Sequence, residues 1–361
     1  MDWLEQKDEI EERLVKKASA ARIPIGGTIE LSPACNMGCE MCYARMDMAH
    51  INAQGGLLSG ERWMELAEQL QEAGCMFLLL TGGEPLLYPD FEKVYTGLQQ
   101  MGFILTLNTN GTLINEEWAD FFAAHPPRRI NITVYGTDDQ VYESLCHYRE
   151  GYERTIRGIR LLRERGLAVK MNVSLTRKNK EQFQQFYELA RTLGVPIEVD
   201  SYMFPFCREQ KAYDETVRLT PQECADHYMQ AMYRQNPAGF QSYVRDAGAV
   251  LNGVRFAGHE GMICRAGISS FWINWKGKLS PCFAMQTDEI SLETHRFLDA
   301  WQLLGERVAS VRLSDSCIHC QWQKVCPSCA GRALCETGRA DGTPEYLCSF
   351  MECIKKGFHE V

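Results

Sequence analysis

The chain has no apolar run that approaches the roughly 20 residues needed to cross a bilayer, which excludes a helical membrane span. Its opening residues are not expected to be a secretory leader either. The opening Met1-Asp2-Trp3-Leu4-Glu5-Gln6-Lys7-Asp8-Glu9 is charged where a signal peptide is apolar, and it reads as a short helix. A basic surplus is missing too: 38 Lys and Arg stand against 47 Asp and Glu, a net charge of -9, which argues against a nucleic-acid partner. The 8 histidines show no HxH or HExxH spacing and are assigned no metal. No low-complexity linker interrupts the chain, and no repeat longer than a β-α alternation runs through it. The expectation is a cytoplasmic protein with neither membrane nor nucleic acid as partner. Its 361 residues suffice for one large α/β domain and a smaller one.

What the chain does have is 16 cysteines. A secreted disulfide scaffold is shorter and carries a leader, whereas in a reducing compartment clustered cysteines bind metal. The first cluster is Cys35-Asn36-Met37-Gly38-Cys39-Glu40-Met41-Cys42-Tyr43, a C-x3-C-x2-C run with no fourth cysteine nearby. Electron carriers hold a [4Fe–4S] cube with four cysteines. Three thiolates leave one iron open to another ligand. The competing reading is a set of buried free thiols.

Short apolar runs at 28–31, 77–80, 104–108, 130–134, 169–174 and 197–200 alternate with helical patterns at 60–73, 91–101, 116–124, 152–165 and 181–193. Repeated β-α units predict parallel strands joined by crossovers. Six units are too few for a closed eight-stranded barrel, and an open, partial (β/α)6 barrel fits the count. Chemistry in such barrels sits at the C-terminal strand ends, where the cysteine loop follows the first strand. Thr81-Gly82-Gly83-Glu84-Pro85 follows the second. Paired glycines let a ligand come close to the backbone, and the adjacent carboxylate can accept from an ammonium group. A plain Gly-Gly turn is the alternative.

The cysteine run and the Gly-Gly-Glu-Pro run in this register resemble the signatures of the radical S-adenosylmethionine (SAM) enzymes. The resemblance implies that Cys35, Cys39 and Cys42 hold a cube whose open iron is chelated by SAM, beside Tyr43. It implies that Gly82, Gly83 and Glu84 meet the SAM amino group. By the same resemblance Thr109 and Asn110, at the end of the third strand, lie beside SAM, and Thr133 on the fourth approaches the ribose. Arg149 is a candidate for the SAM carboxylate, or a solvated surface charge. Asn172 on the fifth strand is a candidate contact, or a satisfied polar group inside the barrel.

A second cysteine block begins at Cys264. Cys264-x12-Gly277-x4-Cys282 is followed by Cys317-x2-Cys320-x5-Cys326-x2-Cys329, then Cys335 and Cys348. Paired C-x2-C is also a zinc signature, but only five residues separate these pairs, too few for a usual zinc ribbon. The block resembles the seven-cysteine SPASM domain of peptide-modifying radical SAM enzymes, although the usual last spacing is C-x3-C. That resemblance implies two auxiliary [4Fe–4S] clusters, three in all with the SAM-binding one. Cys317, Cys320, Cys326 and Cys348 would hold one, and Cys264, Cys282 and Cys329 the other. The fourth ligand of the latter is Cys335 or an open site for substrate. Within the block, residues 271–279 read as a hairpin turning at Lys276-Gly277. Cys75, Cys146, Cys207, Cys224 and Cys353 are left over: Cys75 reads as a core thiol, and Cys353 as a structural thiol or, like Cys335, a hydrogen donor or ligand.

The expected organisation is an N-terminal helix at 1–24, a radical SAM partial barrel at 25–210, a helical connector at 211–255 and a SPASM-like domain at 256–361. The expected activity is reductive cleavage of SAM to a 5'-deoxyadenosyl radical, which oxidises a residue of a ribosomally made peptide by thioether or C–C crosslinking or by epimerisation. Formylglycine formation and oxidation of a small molecule are the alternatives, and an iron–sulfur electron carrier is the non-enzymatic one. Flavodoxin or ferredoxin is the expected electron donor, in an anaerobic setting. No recognition-domain-sized segment precedes the first strand, so the barrel mouth, the Cys-rich domain or a separate protein is expected to recognise the substrate. An open barrel also leaves an exposed strand edge on which an extended peptide can add.

Overall fold

A computed structural model describes residues 9–205 and 217–359. Cys207, the boundary at 210/211 and residues 1–8 of the expected N-terminal helix lie outside the described residues. The rest of that helix is present as Glu9–Ala21.

Six parallel strands follow in sequence order: β1 Gly26–Ser32, β2 Phe77–Gly82, β3 Ile104–Thr109, β4 Arg129–Thr133, β5 Val169–Ser174 and β6 Ile197–Asp200. Each pairs with its predecessor, as βαβ connections demand. The helices Gly60–Glu72, Phe91–Gln100, Glu116–Ala124, Gly151–Glu164 and Phe183–Leu193 fill the crossovers. A further helix, Asp139–Cys146, was not anticipated. It is short, held at its start by Asp138 Oδ1 accepting from Val141 N at 2.8 Å, and stopped by His147 at φ 51°.

The side chains of these strands alternate. Leu78, Leu80, Leu105, Leu107, Ile130, Ile132, Met171 and Val173 are sealed in the core that the helices cover. Most alternate positions are polar, among them Thr81, Thr106, Asn108, Asn131, Thr133, Lys170, Asn172, Ser174 and Asp200, with Phe77, Leu79 and Ile104 the apolar exceptions at the starts of β2 and β3. A closed barrel fills its interior with apolar layers, and strands buried on both faces read as continuous apolar runs. The two-residue period therefore belongs to a barrel that is open and wet inside. Its floor is tied by Asn131 Nδ2 donating to Asn108 Oδ1 at 2.8 Å, Arg129 Nε to Asn131 Oδ1 at 2.9 Å, and a Lys170–Glu198 ion pair.

The predicted hairpin is present as β7 Ser270–Ile273 and β8 Lys278–Ser280, followed by β9 Ile290–Ser291. Gly277 turns it at φ 67°, and Asn274 Oδ1 accepts from the amides of Lys276 and Lys278. Its position is a finding. β7 pairs in parallel with β1, so the Cys-rich segment extends the barrel sheet to nine strands in the order β6-β5-β4-β3-β2-β1-β7-β8-β9. Gly27 makes this fit, because a Cβ there would stand 2.1 Å from the Phe271 ring.

The opposite edge corrects an expectation. Val199 in β6 already has a partner: Gln235, in the helix Pro221–Gln235, accepts from Val199 N at 2.9 Å and donates to Val199 O at 3.4 Å. This side-chain amide occupies the outward N–H and C=O of Val199, which an added peptide strand would use.

A buried cluster clamps the Cys-rich segment onto the mouth. Arg218 pairs with Glu336, Tyr202 Oη donates to Glu336 Oε1 at 2.5 Å, and the Arg218 guanidinium lies 3.4 Å from the Tyr346 ring centroid. Among the described residues no helix is long and apolar enough to cross a membrane.

Candidate functional site

The loop after β1 carries Cys35, Cys39 and Cys42. Its backbone is held by Gly38 N donating to Cys146 O at 2.8 Å, Glu40 N to Leu145 O at 3.0 Å and Cys42 N to Cys39 O at 3.0 Å. The sulfurs are met by donors. Met37 N reaches Cys35 Sγ at 3.4 Å, and Ala44 N and Arg45 N reach Cys42 Sγ at 3.4 and 3.2 Å. Cys39 lies against the side chains of Cys146 and Tyr135. Burial pushes the Cys35 thiol up to about 12, with the charges of Glu84, Cys39 and Cys42 adding to it. Cys39 is held well above its ordinary value, first by its hydrogen bond with Cys146 and then by burial.

The Gly82-Gly83 turn packs directly beneath this loop. Gly83 N donates to Ser32 O and Glu84 N to Ala34 O, both at 2.8 Å. A Cβ on Gly82 would lie 2.2 Å from Ser32 O, and one on Gly83 2.4 Å from Ala34 O. The glycines are thus required by the chain's own backbone, where the motif suggested the approach of a ligand.

Glu84 also departs from expectation. It is 0% exposed and is not among the residues that line the cavity above. Its acceptor capacity is taken up inside the fold. Thr109 Oγ1 donates to Oε1 and Oε2 at 2.8 and 2.9 Å, Asn110 N to Oε2 at 2.8 Å and Leu86 N to Oε1 at 3.1 Å. Burial still raises its pKa to about 7 against these bonds. Glu84 pins the end of β3 to the end of β2.

At the C-terminal strand ends lies a cavity of about 260 Å³. It brings together Cys35, Cys39, Cys42 and Tyr43 from the loop with Gly82, Gly83, Thr109, Asn110 and Thr133 from the strand ends. Arg149 does not join them: it is exposed, in the turn before the helix Gly151–Glu164. Nor does Asn172, one pleat below Ser174 on β5, whose buried Oδ1 has no hydrogen-bond partner.

Sequence reasoning passed over Tyr135, Ser174, Asp200, Tyr202, Phe204 and Phe283, which also line the cavity. The rule that chemistry sits at strand ends would have found Ser174 and Asp200, the last residues of β5 and β6. Asp200 is the sole carboxylate among the described lining residues. Its surface is open to the cavity, yet the crowding protein raises its pKa by desolvation, opposed by the Tyr202 amide. Phe283 had no local signal. Its ring stands 5.0 Å from Tyr43 and 4.8 Å from Phe204, closing an aromatic wall between the two cysteine blocks.

In the second block, Cys317, Cys320, Cys326 and Cys348 line one cavity of about 130 Å³, with Trp322 and Met351 among its apolar walls. Burial pushes Cys326 up to about 11. Cys282 is pushed up to about 12 by burial first, then by the charges of Cys329 and Cys264, which marks these three as neighbours. Cys329 Sγ caps the helix Ala330–Thr337 by accepting from Arg332 N at 3.4 Å. Cys335 Sγ lies 3.8 Å from Ala284 O, two residues beyond Cys282. Among the described residues no three His, Cys, Asp or Glu side chains converge as they would on one ion. The ligands of a cube bind separate irons and stand apart.

An open parallel barrel with a three-cysteine loop at its mouth is the architecture of the radical SAM enzymes, and residues 29–190 match the radical SAM superfamily. The chain carries a radical SAM domain, the domain of enzymes that bind SAM and a [4Fe–4S] cluster. It is 24% identical over 336 residues to an AdoMet-dependent heme synthase of Methanosarcina barkeri, covering 86% of this chain and 92% of the relative. A probable GTP 3',8-cyclase of Saccharolobus solfataricus is 31% identical over 174 residues, 46% of this chain and 53% of the relative. The fold is similar to that of Streptococcus suis SuiB, with TM-score 0.68 and 18% identity over 94% of this chain and 81% of SuiB. It is similar also to anSMEcpe with bound AdoMet, with TM-score 0.69 and 17% identity over 93% of this chain and 98% of the other.

The mouth fits such a cube. The Cys35 and Cys39 thiols are held above their ordinary pKa inside the fold, while backbone N–H donors suited to thiolates reach Cys35 and Cys42. Positive irons supply the missing counter-charge.

Proposed function

We propose that Cys35, Cys39 and Cys42 hold the SAM-binding [4Fe–4S] cluster and that the enzyme oxidises a residue of a ribosomally made peptide. We further propose two auxiliary clusters. Cys317, Cys320, Cys326 and Cys348 hold one. Cys264, Cys282 and Cys329 hold the other, completed by Cys335 or by substrate. The observation that carries this reading is the contact of Tyr43 with Phe283. These residues directly follow Cys42 and Cys282, so both cysteine blocks wall a single cavity.

When bound, the cube and SAM supply one-electron radical chemistry, and the auxiliary clusters an acceptor for a second electron. The chain's own residues do the rest. Gly82 and Gly83 present backbone to the cavity, Thr109 lines it with its hydroxyl committed to Glu84, and Tyr43 and Thr133 present polar groups toward SAM. Glu84 fixes the strand ends that carry them. Tyr202, Phe204 and Phe283 exclude water from the reacting position, and Asp200 faces the substrate as an acceptor for N–H groups. The chain divides into a barrel at 25–210, a helical connector at 211–255 and a Cys-rich domain at 256–361, the last grafted onto the barrel by β7.

The peptide reading is supported by neighbours in fold: SuiB was solved with its precursor peptide SuiA, and anSMEcpe with a Cp18Cys peptide. A second reading, modification of a tetrapyrrole, is supported by the near full-length likeness to AdoMet-dependent heme synthases. The test incubates reconstituted enzyme, SAM and reductant with peptides encoded beside the gene and, separately, with tetrapyrroles, and follows products by mass spectrometry. Loss of two hydrogens from one peptide residue is expected for crosslinking, whereas epimerisation is redox-neutral and shows as an inverted residue on chiral analysis with no change in mass. Turnover of a tetrapyrrole with no change in any peptide overturns the peptide reading in favour of the second.

A further inference from the structure

Asn110 sits between three parts of the mouth and is 6% exposed. Its backbone N–H donates to Glu84 Oε2 at 2.8 Å. Its side-chain Oδ1 accepts from Thr112 N at 2.9 Å and from Thr112 Oγ1 at 2.7 Å. A backbone amide can only donate, so the oxygen must face Thr112 and the amide nitrogen must face the other way. There Nδ2 reaches Asn36 Oδ1 at 2.9 Å and Cys35 Sγ at 3.7 Å. Asn36 closes the ring by donating to Thr112 Oγ1 at 2.9 Å. Every polar atom of the Asn110 side chain is thus committed, and one of its two N–H groups is aimed at the first sulfur of the cysteine loop.

From this geometry we infer that Asn110 is a positioning residue that tunes the cluster through Cys35, with no direct role in holding SAM. The inference rests on the assignment of Cys35, Cys39 and Cys42 as cluster ligands. An N–H aimed at a ligand sulfur stabilises the more electron-rich, reduced cluster and so raises its potential. Glu84 acts at one remove, because it anchors the backbone from which the Asn110 side chain springs. The Gly-Gly-Glu-Pro turn and the β3 end would then set how readily the mouth accepts its electron.

The test is an EPR-monitored redox titration of the reconstituted enzyme, following the reduced-cluster signal that changes when SAM is added. Asn110→Asp keeps the acceptor for Thr112 and removes the N–H toward Cys35. Asn36→Asp is the charge control: it places a carboxylate in the same loop and leaves the contact between Asn110 and Cys35. At a fixed solution potential, Asn110→Asp is expected to lower the reduced-to-oxidised ratio roughly tenfold, about 59 mV for a one-electron couple. Asn36→Asp should shift it clearly less, with iron content and SAM affinity at wild-type levels in both. If Asn110→Asp fails to take up iron, Asn110→Ser serves instead, since its hydroxyl can accept from Thr112 but is too short to reach Cys35. An unmoved midpoint, equal shifts in both Asp variants, or weakened SAM binding without a shift overturns the inference. A wild-type enzyme with no SAM-responsive signal refutes the ligand assignment itself, and this inference with it.

Discussion

Substituting Gly83 by alanine tests whether the Gly-Gly pair serves the cysteine loop or the ligand. The new Cβ would sit 2.4 Å from Ala34 O, 2.6 Å from Pro33 O and 2.8 Å from Ala34 C. Ordinary contact begins at 3.4 Å, so the loop must retreat by about 1 Å, and the obstructing atoms are backbone that cannot rotate aside. Overpacking of this kind costs about 1–3 kcal/mol. The bonds from Gly83 N to Ser32 O and from Glu84 N to Ala34 O stretch with it, at about 0.5–1.5 kcal/mol each. A total of about 2–6 kcal/mol falls on the segment immediately before Cys35. The assay is iron and sulfide analysis after anaerobic reconstitution, with SAM affinity measured in parallel. Gly83→Ala is expected to lose about four irons, one cube, and to retain those of the Cys-rich block. Wild-type iron content with weakened SAM binding would refute this reasoning, because the glycine would then be serving the ligand.

Three further outcomes follow from the geometry. Replacing Cys35, Cys39 and Cys42 together by alanine should abolish release of 5'-deoxyadenosine from SAM while the auxiliary irons stay, and any residual release counts against the ligand assignment. Glu336→Ala removes the carboxylate that pairs with the Arg218 guanidinium at a site where both side chains are nearly sealed, 11% and 8% exposed. Urea unfolding should show a loss of about 3–5 kcal/mol, and a loss under about 1 kcal/mol would show that the clamp is only a surface pair. Glu84 has its pKa raised from 4.5 to about 7 by burial, so the folded chain holds a proton that the unfolded chain releases. Its stabilising contribution is complete below pH 4.5 and is lost as pH rises through about 7, roughly 3 kcal/mol in all. Glu84→Gln lacks this slope, so the difference in stability between the two proteins should change between pH 5 and 8 in favour of the variant. A constant difference would show that the carboxyl titrates normally.

The barrel was legible because each of its strands is a local pattern bounded by turns, and all six strand candidates recur within two residues of their places. The cysteine spacings were legible for the same reason. Side-chain direction was not. Gly-Gly-Glu-Pro places a carboxylate next to the mouth, but only the fold shows that Thr109, Asn110 and Leu86 converge on it from within. The crowding of the glycines was out of local sight in the same way, since it comes from Ser32 and Ala34, about fifty residues earlier. Arg149 was read from its place after a helix, and nothing in sequence says that this turn faces solvent. The pairing of β7 with β1 joins residues 26–29 to 270–273, and a contact so distant in sequence leaves no periodic trace. Phe283 entered the cavity by that route and was invisible for the same reason.

That pairing also settles what a shortened chain would become. With the hairpin in place, β1 is an interior strand, bonded on one side to β2 and on the other to β7. A chain cut before residue 256 would turn β1 into a bare, straight edge next to the loop that bears Cys35. Gly26 and Gly27 would stand there with no Phe271 above them, and an unprotected parallel edge is a template for self-association. The Cys-rich segment therefore doubles as a sheet guard. A minimal barrel obtained by truncation should collect in aggregates, and isolating the SAM-binding half calls for point substitution of the C-terminal cysteines with the hairpin left intact.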